Sequence, residues 1–246
     1  MKKIFLVISI VFFSFQFGNT QNVVINEDVN YYDNENLWGP NYLHYGYFYL
    51  GADFAAGITD GERPELNYFF TNGKTFGYRY KLKVAKFYAV GLDFSCHVFD
   101  YQLKSDANEI FVIPPTYETD KELLRYNGLT AEFFNRFSFG RRGNVIGKFL
   151  DIGVYGSYFG RVAHIRWAGK DDVNLLEAES IKIKYLNPEY MEKTQYGLKA
   201  RLGYNQFVIT ASYRLSDLIT PTLSDVMPND VGLPRLNIGF EIGLFF

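Results

Sequence analysis

Lys74-Thr75-Phe76-Gly77-Tyr78-Arg79-Tyr80-Lys81-Leu82-Lys83-Val84 decides the fold. Phe76, Tyr78, Tyr80, Leu82 and Val84 fall on one side of a period-two pattern, and Gly77, Arg79, Lys81 and Lys83 on the other. Strict alternation over this length marks a β-strand with one apolar and one charged face. After the short turn at 85–87, residues 88–103 repeat the pattern, with Tyr88, Val90, Leu92 and Phe94 against Ala89, Gly91, Asp93 and Ser95. Counting back from that turn sets Arg79 directly opposite Asp93.

The same pattern recurs along the chain and predicts eight strands, near 42–54, 74–84, 88–103, 122–139, 145–162, 191–204, 207–219 and 234–246. In the first, Phe48, Leu50 and Ala52 are assigned to the apolar side, because that places Asp53 on the other. The connections alternate long and short: 55–73 and then 85–87, 104–121 and 140–144, 163–190 and 205–206, and last 220–233. An even number of antiparallel strands joined this way predicts an all-β, eight-stranded, up-and-down transmembrane β-barrel. A soluble sandwich or lipocalin-like barrel has the same alternation with the colouring reversed.

Other features favour the membrane version. Met1-Lys2-Lys3 precedes an apolar run from Ile4 to Phe15, too short for a spanning helix, and Gly18-Asn19-Thr20 supplies small residues at a cleavage point. Residues 1–20 are therefore expected to be a signal peptide, 21–40 a periplasmic lead-in, and 41–246 the barrel. The chain has 24 Phe, 20 Tyr and 2 Trp, yet its mean hydropathy is −0.12. Many aromatics without a long apolar run is what strands with alternate lipid-facing and lumen-facing residues produce. Losing Lys2 and Lys3 leaves 23 basic against 27 acidic residues, a balance that gives no reason to expect nucleic acid as a partner. A lone Cys96 excludes an intramolecular disulfide.

With the apolar faces outward, the lumen receives Arg79, Lys81, Lys83, Arg136, Arg161, Lys199, Arg201, Arg214 and Arg235 together with Asp53, Asp93, Glu132, Asp151 and Glu241. Isolated buried ions are costly, so these groups should form a mesh, with Asp151 diagonal to Arg136. An eight-stranded barrel is filled by its own side chains, so a plugged polar core is expected. Nine bases against five acids leave a narrow anion-selective pore as the alternative, although Lys83, Arg161 and Arg235 fall near strand ends.

Enzymatic readings are weaker. Asp93, Ser95 and His97 share a face, but neighbours on one face of a strand stand ~7 Å apart, too far for a nucleophile–base hydrogen bond. A membrane-embedded hydrolase therefore ranks third, and no catalytic residue is assigned. His44 and His164 look isolated, and no spacing points to a metal or phosphate site, so no cofactor is expected. The loops 104–121, with Ile110-Phe111-Val112-Ile113-Pro114-Pro115, and 163–190, with Trp167, Leu175, Leu176 and Tyr185, are the candidate contacts for protein partners, with packing over the barrel mouth as the commoner use of such apolar groups.

The Lys2-Lys3 signal with Gln21 at the cut, Gly51-Ala52-Asp53, Tyr213-Arg214-Leu215-Ser216-Asp217-Leu218 and the aromatic end carry a resemblance. Over about 40–246 the chain resembles the outer-membrane β-barrel proteins of Bacteroidetes, the PorT-like group. The ending, with Asn237, Gly239, Ile242, Leu244 and a terminal Phe246, is similar to the signal that barrel assembly machinery reads. The resemblance implies a bacterial outer-membrane location, outer-membrane lipid and that machinery as partners, and a structural or interaction role in an envelope complex. Some members of the group serve type IX secretion.

Overall fold

The computed structural model describes residues 37–57, 66–103, 119–140, 143, 145–168, 181–219 and 233–244, all within one compact unit, Leu37–Phe246. They form strands β1 (His44–Ala56), β2 (Asn72–Lys83), β3 (Tyr88–Leu103), β4 (Thr119–Phe139), β5 (Lys148–Ala168), β6 (Ile181–Leu186), β7 (Thr194–Tyr204), β8 (Phe207–Arg214) and β9 (Leu236–Leu244). Every pairing between these strands is antiparallel. The ladder runs from β1 through β2, β3, β4, β5, β7 and β8 to β9, and β9 returns to β1. The chain is thus a closed up-and-down barrel of eight staves.

The ninth strand is not a ninth stave. Both β6 and β7 pair with the same side of β5, β6 along 163–168 and β7 along 148–158, so they are the upper and lower pieces of one interrupted stave. Asn187 sits at φ 50° at the break, a left-handed conformation that Asn tolerates, and Pro188 after it cannot donate to a ladder. Asn187 ends the upper ladder by exchanging bonds with Val162: its N–H donates to the Val162 carbonyl at 2.8 Å and its Oδ1 accepts from Val162 N at 3.1 Å.

Residues 163–190 were expected to be a loop, yet 163–168 continue β5 and 181–186 are β6. Both stretches alternate, His164 and Arg166 with Ile165 and Trp167, and Ile183 and Tyr185 with Lys182 and Lys184. In β6 the charged residues point outward, the reverse of the lower barrel. Long β4 and β5 therefore carry, with β6 and the end of β3, whose Asp100–Leu103 pair with Arg125–Glu122 of β4, a sheet that projects beyond β7. The loop apolar residues at 110–115 and 175–176, and Phe246, lie outside the described residues.

Sidedness follows the pleat. Phe48, Leu50, Leu92, Phe94, Leu129, Phe133, Ile152, Val154, Leu198, Leu202 and Ile209 are exposed on the outer wall, up to 64% for Leu129. Arg79, Arg136, Arg201, Asp93 and Asp151 are buried inside at 1% or less. Asp53 lies on the inward face and Phe48 and Leu50 on the outward one, matching the facing assigned to β1. The apolar wall of β4 runs from Leu129 to Phe139, eleven residues. At ~3.3 Å per residue and a tilt of ~45° it stands about 25 Å tall.

Turns set the registers. Asn205 at φ 53° makes the β7–β8 hairpin, and it bonds Gly147 through both its N–H, at 3.0 Å, and its side-chain oxygen, at 3.1 Å, tying two turns together. The β4–β5 connection reaches to Gly147, three residues further than 140–144. As a result Asp151 lies directly opposite Arg136 and not diagonal to it. Higher on the same pair, Phe159 and Gly160 together oppose Gly128, a β-bulge. The bulge reverses the parity of β5, so Val162, His164 and Arg166 turn inward and Arg161 turns outward, against the expectation that Arg161 enters the lumen.

Candidate functional site

The inward face of β3 passes through three chemistries in succession: Asp93, then Ser95 and His97, then Phe99, Tyr101 and Leu103. The neighbouring strands match it level for level, so the lumen is a stack of layers.

The lowest complete layer is a charge mesh. Arg201 on β7 is its hub: Nη2 binds Glu132 and lies 3.6 Å from Asp93, Nη1 lies 3.6 Å from Asp151, and Nε 3.7 Å from Glu241. Arg79 donates from Nε to Asp93 at 2.8 Å and from Nη2 to Glu241 at 2.7 Å. Arg136 grips Asp151 with a bidentate fork at 2.7 and 2.8 Å, and Lys199 donates to Glu241 at 3.1 Å. Four cations thus meet four carboxylates contributed by β2, β3, β4, β5, β7 and β9. Charge-assisted and forked bonds are what make such a set tolerable in a dry interior.

Aromatic rings brace the mesh. The Arg79 guanidinium lies 4.3 Å from the Tyr49 ring and that of Arg136 lies 3.7 Å from the Phe149 ring. Tyr49 donates to Asp93 at 2.7 Å, while the Tyr47 hydroxyl accepts from Arg79 at 3.1 Å. These rings fit because glycines face them: a Cβ at Gly203 would overlap the Phe149 ring, and one at Gly77 would stand 2.6 Å from the Tyr49 hydroxyl. Tyr45, Ile146, Phe149 and Val208 form an apolar floor toward the short-turn end.

Above the mesh is a cavity of about 40 Å³, room for roughly two or three waters. Hydroxyls and amides dominate its lining, among them Thr75, Ser95, Thr130, Ser157 and Gln195. Asp53 sits in it, accepting from Thr75 at 3.2 Å and Thr210 at 3.3 Å, with His97 Nε2 at 3.9 Å. The cavity is roofed by an apolar cluster that includes Phe99, Tyr101, Tyr126, Phe159 and Val162. Tyr126 anchors the roof by donating to the Leu218 carbonyl at 3.0 Å.

Of the eleven residues expected in the lumen network, Arg79, Asp93, Glu132, Arg136, Asp151, Lys199, Arg201 and Glu241 make the mesh. Asp53 belongs to the cavity. Lys81 reaches the Pro40 carbonyl, and Arg214 donates to the carbonyls of Ser216 at 2.6 Å, Leu233 at 3.0 Å and Pro234 at 3.2 Å. Lys83 donates to the Asn41 carbonyl at 2.8 Å at the rim, and exposed Arg235 pairs with Asp217 at 2.6 Å. The expected excess of lumenal bases therefore resolves into a balanced mesh plus cations bound to backbone carbonyls or turned outward.

Of the assembly-signal residues, Asn237 and Gly239 face the lumen and Ile242 the outer wall, with Leu244 half-buried. Glu241 meets Arg79 across the closing seam. Asp93 is held by Arg79 and Tyr49, so it does not orient His97, whose nearest carboxylate is Asp53. His44 and His164 are not isolated. His44 Nδ1 bonds Tyr80 at 2.6 Å beneath Trp38, and buried His164 lies between Glu122 and the Tyr190 hydroxyl, the latter at 2.6 Å. Burial and the Glu122 carboxylate push the Tyr190 phenol above its ordinary value. Sequence reading missed Tyr47 and Tyr49 as mesh partners, although their alternation with Phe48 put them on the inward face. It also missed the His164 site, because the bulge that turns His164 inward leaves no local signature.

No protein-family model matches the chain, and no curated protein matches it.

Proposed function

We propose that the chain is a bacterial outer-membrane β-barrel, closed to solutes, that works as a structural or interaction component of an envelope complex. The reversed sidedness carries this reading: fully buried arginines inside a wall of exposed leucine, isoleucine and phenylalanine suit a barrel whose outer solvent is hydrocarbon. The wall height of about 25 Å fits the apolar band of such barrels. Trp38 and Tyr80 at one edge and Tyr158 and Tyr196 near the other occupy the levels where interfacial aromatics are enriched.

The filled lumen supports a closed barrel over an anion pore. Among the described residues the floor, mesh and roof enclose a small polar cavity, and the mesh cations are matched one for one by carboxylates. Ser95, His97 and Asp53 share the cavity, but His97 Nε2 stands 3.9 Å from Asp53 and, among the described residues, takes no hydrogen bond to a hydroxyl, so a non-enzymatic role is proposed. The PorT-like resemblance directs the search for partners to type IX secretion components.

The test is fractionation followed by recording. The mature protein should begin at Gln21, sediment with outer membrane, migrate faster on gels before boiling than after, and stay electrically silent in planar bilayers. Steady anion-selective conductance would defeat the closed-barrel reading, and soluble fractionation would defeat the location. A mild-detergent pull-down from native membranes should then recover a stoichiometric protein partner; a solitary barrel would defeat the interaction role.

A further inference from the structure

The lumenal charge count leaves one carboxylate over. In the mesh four carboxylates meet four cations, whereas Asp53, in the cavity above, has no lysine or arginine partner among the described residues. Its nearest cationic group is His97 Nε2, at 3.9 Å. Lys199 lines the same cavity but donates to Glu241 at 3.1 Å, and Arg214 is spent on the carbonyls of Ser216, Leu233 and Pro234. The two Asp53 oxygens each accept one hydroxyl hydrogen, from Thr75 on one side and Thr210 on the other. Both hydroxyls keep acceptor lone pairs once that hydrogen is given. Across the closing seam a glycine makes the room: a Cβ at Gly239 would overlap the Asp53 carboxylate and the Thr210 hydroxyl. At the next inward position on β9, Asn237 is 7% exposed and lines the cavity, and its Oδ1 meets no hydrogen-bond donor among the described residues.

We propose that Asp53, Thr75, Thr210 and Asn237 bind a monovalent metal cation of sodium's size. Hard cations take oxygen ligands, and this set supplies a carboxylate, two hydroxyls and an amide carbonyl. A single carboxylate balances a single charge, whereas calcium sites gather several. Transition metals want nitrogen or sulfur ligands, and among the described residues no three of His, Cys, Asp and Glu converge. At about 40 Å³ the cavity holds such an ion with one or two waters. A buried carboxylate without a counter-charge is costly, and the ion supplies that charge. The ligands come from β2, β1, β9 and β8, neighbouring staves on both sides of the closing seam. The ion is therefore a second tie across that seam, one level above the Arg79–Glu241 pair. It needs only the closed lumen, whatever the barrel contacts outside.

Thermal unfolding of the full mature barrel tests the site, after refolding at about pH 8 in sodium chloride or in choline chloride of equal ionic strength. Refolding in each salt admits the ion before mesh and roof close the cavity. The unfolding temperature should rise by about 3–6 °C for each tenfold increase of sodium above its dissociation constant, and choline should give no such rise. Asp53→Asn should abolish the sodium dependence, and Asn237→Ala, which keeps the carboxylate, should shift it to higher sodium. Asp217→Asn, which changes an exposed carboxylate paired with Arg235, should leave it as in wild type. Equal unfolding temperatures in the two salts overturn the proposal, and so does a sodium dependence that survives Asp53→Asn. Where Asp53→Asn does not reach the heat-modifiable folded form, Asn237→Ala decides, and an unshifted sodium dependence in that variant overturns the proposal. A barrel indifferent to sodium that gains stability from about pH 8 to about pH 5 overturns it too, and assigns the counter-charge to a proton on His97.

Discussion

At the height of the apolar wall the barrel is charged inside and greasy outside; in the projecting sheet both faces are mixed, with His164 and Arg166 buried on the inner one and Leu123, Ala163 and Ile165 on the other. Below, Arg79, Arg136 and Arg201 are enclosed while Leu129, Leu198 and Ile209 are bare. Above, Tyr126, Phe159 and Val162 fill the interior while Lys121, Arg161 and Lys182 face out. The strands are continuous through the change, since β4 and β5 run through both regions. A single chain thus exposes apolar side chains on its lower outer wall and charged ones on its upper, as expected if the lower wall meets hydrocarbon and the upper meets water.

The largest expected effect breaks the interior of the lower region. Arg201→Met leaves Glu132, Asp93, Asp151 and Glu241 around a vanished cation, and should cost ~3–5 kcal/mol. Removing Arg125, which is largely solvent-exposed in its pair with Asp100, should cost less than ~1 kcal/mol. Urea unfolding of the barrel refolded in lipid vesicles measures both, and similar losses would erase the distinction between the two regions. The Arg136→Met, Asp151→Leu double variant should lose less than Arg136→Met alone, because no unpaired charge remains.

The outer surfaces give the next contrast. Leu198→Arg, near the middle of the wall, should cost ~2–4 kcal/mol in a bilayer, and Leu186→Arg, equally exposed but in the projecting sheet, less than ~0.5 kcal/mol. Equal costs would mean that one solvent surrounds both regions. Inside, Gly203→Ala drives a methyl into the Phe149 ring and should cost ~1–3 kcal/mol, with part recovered by Phe149→Leu on the same background. Gly156→Ala, on the outer wall with open space above it, is the control and should be close to neutral.

The two regions were not equally legible in the sequence. In the lower barrel, alternation assigns every stave and places Arg79 against Asp93, because a tight turn fixes the register of β2 and β3. Where the turn is longer, the register slips out of reach, as with Arg136 and Asp151. Ile181-Lys182-Ile183-Lys184-Tyr185 alternates as clearly as any stave, but it reads as loop when only greasy-outward strands are sought. The bulge opposite Gly128 reverses which residues of β5 face inward, and nothing local announces it. The ring braces of the mesh depend on glycines from neighbouring strands, a match that exists only once the barrel closes.

The smallest expected effect probes the roof of the upper region, where His164 is held between Glu122 and Tyr190. Tyr190→Phe removes the hydroxyl from a buried bond and should cost ~1 kcal/mol near neutral pH. In the folded protein the phenol is held above its ordinary 10.0 by burial first and by Glu122 second. The unfolded chain therefore releases this proton before the folded chain does, and the stability contributed by Tyr190 falls as pH rises above 10.0. Phenylalanine has no such proton, so the gap between wild type and variant should narrow from about pH 7 to about pH 11. A constant gap over that range would mean that Tyr190 meets water as freely folded as unfolded. The upper interior would then lack the dry packing that sets it apart from the charged lumen below.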